Sequence, residues 1–217
     1  MANTHIVHAF DKDLAKIEGL LLEMVGLVES QIIDAITALS TRDTTLAEEV
    51  RKKDKRIDVL EHKINEKTVR LLALRQPMAD DLRMIIAIMK VSSSLERIGD
   101  YVKNIAKRVT VLVQAPTIES SEKNLKRMGD IVQQMVHDVL NSFLKRDIEL
   151  ADQVRHRDED VDLMNNTMFR ELLTYMMEDP RSITACMHLL FIAKNIERAG
   201  DHTTSIAEQV HYLISGS

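Results

Sequence analysis

Eight acidic side chains in this 217-residue sequence form four pairs, and within each pair the two acids are four residues apart. The pairs are Asp54 and Asp58, Glu96 and Asp100, Asp158 and Asp162, and Glu197 and Asp201. On an α-helix this spacing places both carboxylates on one face, one turn apart. Carboxylates gathered on such faces repel one another, so they need a cation among them or must take up protons. The pattern therefore predicts cation binding by carboxylate oxygens.

The four pairs are arranged symmetrically about two turns. In the first half of the chain, the two pairs are equally distant from Pro77, and in the second half they are equally distant from the bond between Asp179 and Pro180. Both helices of a hairpin rise by the same length per residue, so positions equally distant from the turn face each other. Proline cannot continue a helix beyond its first turn. We therefore expect each half to form a hairpin that brings four carboxylates together.

An all-oxygen ligand set suits Mg, Ca, Mn and Fe, whereas zinc more often takes His or Cys ligands. Bridging carboxylates can hold more than one ion. The alternative is that the acids are solvated and paired with nearby bases, as most charged runs on helices are. Those bases would be Arg51, Lys55, Arg97, Arg155 and Arg198. The repeated symmetry favours metal ligation by all eight acids.

Gly99 and Gly200 each lie inside a predicted helix, next to an acid of the pattern. A glycine within a helix costs about 1 kcal/mol relative to alanine. Each glycine is therefore explained by the close approach of a neighbouring helix or ligand, or by tight packing alone.

The composition predicts an all-α protein. Hydrophobic residues make up 45% of the chain and aromatic residues only 3%, with 6 Gly and 3 Pro. This composition is typical of aliphatic packing between long helices. Helical periodicity predicts six helices. The first covers residues 11–39, the second follows a cap at Asp43 or Thr45 and ends at Arg75, and the others cover residues 80–113, 120–143, 147–177 and 181–213.

The two halves of the chain are copies of one unit. The sequence Leu-Glu-Arg-Ile-Gly-Asp at residues 95–100 reappears as Ile-Glu-Arg-Ala-Gly-Asp at residues 196–201. Three helices fall on each side of Pro116. The fold class is therefore predicted as two tandem antiparallel three-helix bundles related by duplication, with residues 1–115 and 116–217 as the two domains.

Charge and hydropathy exclude several classes of partner. With 29 basic and 34 acidic residues, the net charge of -5 gives no attraction to nucleic acid or to an anionic membrane. No apolar run approaches the about 18 residues that a membrane span needs. The first ten residues lack the pattern of a signal peptide. Cys186 is the single cysteine and fits a reducing compartment. We expect a cytoplasmic protein that binds no nucleic acid and is not inserted in a membrane.

The two Glu-Arg-x-Gly-Asp segments, together with Arg-Gln-Pro-Met-Ala at residues 75–79 and Asp-Leu-Arg at 81–83, resemble the PhoU family of bacterial phosphate-signalling regulators. The resemblance covers nearly the whole chain. It implies a non-enzymatic protein that restrains the phosphate-starvation (Pho) response and modulates phosphate uptake. Such a protein acts between the phosphate-specific ABC transporter and its membrane sensor histidine kinase.

The resemblance also implies multinuclear iron or zinc clusters at the eight acids already named, while Mg, Mn and Ca stay open. The second half departs from the family pattern, because it has Arg-Ser-Ile-Thr at residues 181–184 where the first half has the Asp-Leu-Arg motif. The two sites are therefore free to differ in occupancy or affinity. The long bundles also favour a homodimer, and helix-in-groove docking is the expected mode of partner binding.

Two other functions fit parts of the pattern. A carboxylate-bridged di-metal oxidase needs paired Glu-x-x-His motifs, and the chain has one match, Glu208 with His211, which is not repeated in the first half. A metal-free helical adaptor would use the acids for solubility only. The basic run at residues 51–53, with Lys55 and Arg56, either contacts an acidic partner or is a solvated face.

Overall fold

The computed structural model describes the backbone of residues 2–216 and the side chains of residues 10–118 and 120–216. Its helices are α1 (Ala2–Thr41), α2 (Thr44–Arg75), α3 (Asp80–Leu112), α4 (Glu119–Lys145), α5 (Ile148–Glu178) and α6 (Ile183–Ser215), with a short 3-10 helix, Pro180–Ser182, before α6. No β-strand occurs within residues 2–216. The predicted all-α fold with six helices is confirmed.

The helices pack as two groups of three. Helices α1, α2 and α3 contact one another within the first half, while α5 contacts α4 and α6 and α4 contacts α6 within the second. The halves are joined by contacts of α1 with α4 and of α3 with α6, so these four helices form the centre of the molecule. Among the described helices, α2 contacts only α1 and α3, and α5 contacts no helix of the first half. Both acid sites therefore lie where an outer helix meets an inner one.

The buried apolar side chains of both halves form one continuous core. It is rich in Ile, Val, Leu and Ala, as expected for long helical seams. Helices of this length owe most of their stability to such packing rather than to intrinsic propensity. Since the core runs across both halves, the division into domains at residues 115 and 116 stays a prediction.

The turn between α2 and α3 and the turn between α5 and α6 lie at the positions predicted from the symmetry of the acid pairs. Pro77 is in the loop between α2 and α3, where Gln76 and Ala79 have positive φ angles of 45° and 51°. Asp179 separates α5 from the 3-10 helix, which begins at Pro180. The Asp179 carboxylate accepts a hydrogen bond from the backbone N–H of Arg181 at 3.0 Å. Both predicted fold points are confirmed.

The start of the first helix differs from the prediction. Periodicity placed it near Asp11, but α1 begins at Ala2. Residues 2–10 contain no Gly or Pro, so nothing in this segment interrupts the helix.

Arg42 fixes the segment that connects the two halves. It follows α1 with a φ of 54°, and its guanidinium donates to the carbonyl oxygens of Leu112 (3.0 Å) and Ala115 (2.7 Å). It also pairs with Glu122 on α4 at 2.7 Å. A single side chain therefore satisfies carbonyls at the end of α3 and links them to the start of α4. Charged donors of this kind stabilise the fold more than neutral ones.

Replacing Arg42 with Ala should lower the free energy of unfolding by about 2 kcal/mol, because carbonyl and carboxylate partners lose a charged donor. Arg146 is the matched control, since it also has a φ of 54° and precedes the Asp cap of α5, but its side chain is exposed. Arg146→Ala should change stability by less than about 0.5 kcal/mol. Urea unfolding followed by circular dichroism measures both. Equal effects of the two substitutions would show that Arg42 does not hold the connection.

Candidate metal centres

The acids of the second half converge at the seam between α5 and α6. Asp162, Glu197 and Asp201 each offer a carboxylate oxygen within 4.8 Å of the other two. Asp158 and Glu197 are both only 9% exposed, and Asp158 Oδ1 and Glu197 Oε2 are buried without a hydrogen-bond partner. Asp162 and Asp201 lie at the surface, so the cluster opens to solvent on one side. A buried, unpaired carboxylate oxygen is costly, and a cation is the ligand that would satisfy it.

The electrostatics of this cluster show that the four groups share one environment. Burial raises the pKa of Asp158 to about 7, and the negative charges of Asp201, Asp162 and Glu197 contribute to the shift. Burial and the charge of Glu197 also raise the pKa of Asp201. Lys194, one helical turn before Glu197 on α6, pairs with the other oxygen of Glu197, Oε1. The cluster therefore resists carrying its full negative charge without a cation.

In the first half, a lysine that the sequence patterns did not single out lies among the acids. Lys103 Nζ is 2.5 Å from Asp54 Oδ2 and 2.5 Å from Asp100 Oδ1. Asp54 is 2% exposed, and Gln31 Nε2 donates to its other oxygen at 3.4 Å. Burial acts to lower the pKa of the Lys103 ammonium, but its hydrogen bonds to Asp100 and Asp54 raise it above the ordinary value. Lys103 is three residues from Asp100, a spacing that could have indicated it, whereas no sequence pattern indicates Gln31.

The other two acids of the first half belong to the same cluster. Burial and the charge of Asp54 raise the pKa of Asp58, and burial and the charge of Asp100 raise that of Glu96. Glu61, on the same side of α2, adds to both shifts. The four acids of the first half thus lie close enough to shift one another's pKa values, but among the described residues three carboxylate oxygens meet within 4.8 Å in the second half alone. Their assignment as metal ligands stays a prediction.

A neighbouring helix approaches closely at both glycines, and at Gly200 the approaching group is a buried aspartate. A Cβ atom at Gly200 would overlap Asp158 Oδ1. At Gly99 it would lie 3.2 Å from Gln31 Oε1 and 3.5 Å from Asp54 Oδ1. The missing side chain of Gly200 leaves room for the Asp158 carboxylate against α6, whereas that of Gly99 leaves room mainly for Gln31 and Ile57.

The alternative of simple surface ion pairs accounts for part of the pattern, because at least four of the eight acids have a basic partner, namely Asp54, Glu96, Asp100 and Glu197. Of the five bases named for it, Arg97 is the one that pairs with members of the pattern in the described part of the chain, at 3.7 Å from Glu96 and 3.8 Å from Asp100. The Glu-x-x-His match of the oxidase alternative also points elsewhere, because His211 Nε2 lies 2.9 Å from Asp152 Oδ1. Cys186 is buried in the core.

The sequence profile of the PhoU domain matches this chain twice, over residues 21–109 and 125–210. The chain belongs to the PhoU family. Each match contains two of the four acid pairs, so the duplication inferred from the repeated hexapeptide coincides with two copies of the family domain. The predicted resemblance is confirmed over both halves.

Individual relatives of this PhoU-family chain match it almost end to end. The phosphate-specific transport system accessory protein PhoU homolog of Caulobacter vibrioides is 48% identical over 98% of this chain and 92% of the relative. The homolog of the same description from Rhizobium meliloti is 42% identical over 100% and 92%.

Solved PhoU structures share the fold. The crystal structure of PhoU from Pseudomonas aeruginosa has a TM-score of 0.93 at 42% identity and covers 96% of this chain and 100% of that one. The phosphate transport system regulatory protein PhoU from Streptococcus pneumoniae has a TM-score of 0.89 at 32% identity, with coverages of 96% and 98%. The two tandem three-helix bundles of this PhoU-family chain are thereby confirmed.

Gly200→Ala should lower the free energy of unfolding by about 1–3 kcal/mol, because the new methyl group forces the Asp158 carboxylate out of its place. Gly26→Ala is the matched control, since a Cβ atom there meets nothing within 4 Å. This control should stabilise α1 by about 0.5–1 kcal/mol. Urea unfolding of both variants measures the difference. A stabilising effect of Gly200→Ala would contradict the close approach.

The chelator-treated protein should lose stability as the pH rises from about 5 to about 8. Asp158 has a pKa of about 7 when folded and about 3.9 when unfolded, so between these values the folded chain binds more protons, and its stability falls with rising pH. The contribution of Asp158 should be on the order of 2 kcal/mol. Asp158→Asn should flatten the dependence of the melting temperature on pH, while Asp160→Asn should not. Identical pH profiles for the wild type and Asp158→Asn would contradict this shift.

Proposed function

We propose that this protein is a negative regulator of the phosphate-starvation (Pho) response and a modulator of phosphate uptake. It acts in the cytoplasm as a non-catalytic helical adaptor between the phosphate ABC transporter and its sensor histidine kinase. The observation that carries this proposal is the near-complete match to relatives described as accessory or regulatory proteins of phosphate transport. No helix among residues 2–216 is long and apolar enough to cross a membrane, so the adaptor would reach these partners by docking.

The outer faces of α2 and α5 support a docking role. Exposed apolar side chains on α5 include Leu163 (66%), Phe169 (55%) and Met177 (78%). On α2, Val69 and Leu74 are 56% and 63% exposed. Apolar groups on an outer helix suit helix-in-groove contacts with a partner or with a second copy of the chain. We accordingly propose that the protein is a homodimer that presents these faces.

The basic run on α2 is a second candidate surface for binding a partner, but not all of its members are available for such a contact. Lys53 pairs with Asp34 on α1 and donates to Ser30 Oγ at 3.0 Å, so it is engaged within the bundle. The exposed members are Arg51, Lys52, Lys55 and Arg56. An acidic partner surface would therefore meet these four residues and not Lys53.

The proposal includes metal cations at the two acid clusters. The second cluster fits a cation because two of its oxygens are buried and unpaired and because three of its carboxylates converge. Asp162, Glu197 and Asp201 would hold the metal with Asp158 beside them, and the eight acids together would provide room for multinuclear iron or zinc, or for Mg, Mn or Ca. The all-oxygen set favours hard or borderline ions over zinc. A bound cation would offset the repulsion and tie α5 to α6.

Deleting the gene in its own host should raise expression of a phosphate-starvation reporter in phosphate-rich medium, and a wild-type copy should restore repression. A copy with Asp162→Asn, Glu197→Gln and Asp201→Asn tests whether the acids matter for this role. We expect it to restore repression only in part, because the cluster loses its charge. A copy with Asp160→Asn, an exposed acid of α5 outside the cluster, is the matched control and should restore repression fully.

The regulatory proposal is wrong if the deletion leaves the reporter at its repressed level. Full repression by the triple variant, at wild-type protein abundance, would favour the metal-free adaptor over the metal-dependent one.

A further inference from the structure

The two acid clusters are copies, but they differ in what neutralises them. In the first cluster, Lys103 contacts both Asp54 and Asp100 at 2.5 Å. The equivalent position in the second half lies three residues after Asp201 and is Thr204, whose hydroxyl donates to the carbonyl oxygen of Asp201 at 2.7 Å. The first cluster thus contains a lysine that bridges two of its acids, whereas the second has a neutral residue in that place and a lysine, Lys194, that pairs with Glu197 alone.

The buried aspartates show the consequence of this difference. Asp54 has partners for both carboxylate oxygens, Gln31 for Oδ1 and Lys103 for Oδ2. Its copy, Asp158, has a buried Oδ1 without a partner. Lys194 does not supply the missing cation, because it pairs with Glu197 Oε1.

We propose that Lys103 is a built-in counter-cation that weakens metal binding in the first cluster, so that at low metal concentration the second cluster binds metal first. This inference rests on the proposed metal binding. A metal ion entering the first cluster must displace an ammonium that holds two carboxylates by charge-assisted hydrogen bonds. A metal ion entering the second meets two buried oxygens without a partner, Asp158 Oδ1 and Glu197 Oε2, while Lys194 holds only the other oxygen of Glu197.

The surroundings of Lys103 allow a metal ion to displace its ammonium group from the first cluster, so the lysine does not block the cluster permanently. Its side chain is 35% exposed, so the ammonium can rotate out into the solvent when a stronger cation arrives.

The first cluster also has Glu61 where the second has Asn165. Without Lys103 the first cluster would therefore carry at least as much negative charge as the second. The difference therefore does not come from a shortage of acids in the first cluster; it follows from Lys103 holding two carboxylates where Lys194 holds one.

The test uses the full chain, freed of metal with chelator and titrated with Mn²⁺ while free Mn²⁺ is followed by electron paramagnetic resonance. In the wild type, we expect one tight class of sites and a second class that is weaker by roughly 10- to 100-fold, the range typical of changes beside metal ligands. Removing Asp162, Glu197 and Asp201 together, as Asn, Gln and Asn, should abolish the tight class and so assign it to the second cluster.

Substitutions at Lys103 and at Thr204 should change the Mn²⁺ affinities of the two clusters in opposite directions. Lys103→Thr should tighten the first cluster toward the affinity of the second, and Thr204→Lys should weaken the second by a similar factor. Lys103→Arg keeps a cation and should leave the first cluster weak. Lys107→Thr, an exposed lysine one turn further along α3, is the matched control and should change neither class. Circular dichroism confirms that each variant is folded.

The inference is overturned if the wild type binds Mn²⁺ with equal affinity in both halves, or if Lys103→Thr leaves the weak class unchanged while the tight class persists. In those cases the proposed metal binding still stands. Absence of Mn²⁺ binding in the wild type and in Lys103→Thr alike would contradict the metal sites themselves, and the role of Lys103 with them.

Discussion

Repulsion among carboxylates at the seam of two packed helices is the constraint on which both sites depend. Asp54 and Asp158 come from the outer helices and are buried against the inner ones, where water cannot screen their charge. Gly200 on α6 makes the burial of Asp158 sterically feasible. Each carboxylate then requires a partner, and the two halves meet this requirement differently. The first uses Lys103 and Gln31, whereas the second leaves an oxygen of Asp158 unpaired.

The helical scaffold makes such placement precise. The four inner helices pack across the two halves and share one core, so their backbones are held by many apolar contacts. The outer helices α2 and α5 lie on this platform with one face buried and the other free for partners. A cation at either seam would act between an outer and an inner helix. Under the proposed function, metal occupancy would thereby be coupled to the position of a docking face through the same helix, and this coupling would be how a metal affects the adaptor.

Much of this arrangement follows from the sequence because helices are regular. A constant rise per residue makes equal distances from Pro77 and from the bond before Pro180 into facing positions, and both turns occur where this geometry requires. Spacing alone does not show which way a long side chain points. Lys53 belonged to an apparent solvated basic run but reaches back to Asp34. For Lys103, the spacing could have indicated the pair with Asp100 on its own helix, but only the packing of α2 against α3 shows the second pair, with Asp54.

The sequence also failed to predict that α1 begins at Ala2, for a different reason. Hydrophobic periodicity detects the part of a helix that packs, so a helical segment beyond the clear apolar pattern leaves no signal unless Gly or Pro ends it. The buried Asp158 oxygen is likewise invisible in the sequence. Spacing predicts that acids meet, but only the packing of α5 against Gly200 shows that one of their oxygens lies without a partner.

Anomalous X-ray diffraction from crystals of the full chain grown with Mn²⁺ tests the central claim most directly. The account predicts a manganese peak bonded to carboxylate oxygens of Asp162, Glu197 and Asp201, with the Lys103 ammonium still between Asp54 and Asp100 at low metal concentration. A map without a peak at the second cluster, at metal concentrations that saturate ordinary carboxylate sites, would contradict it.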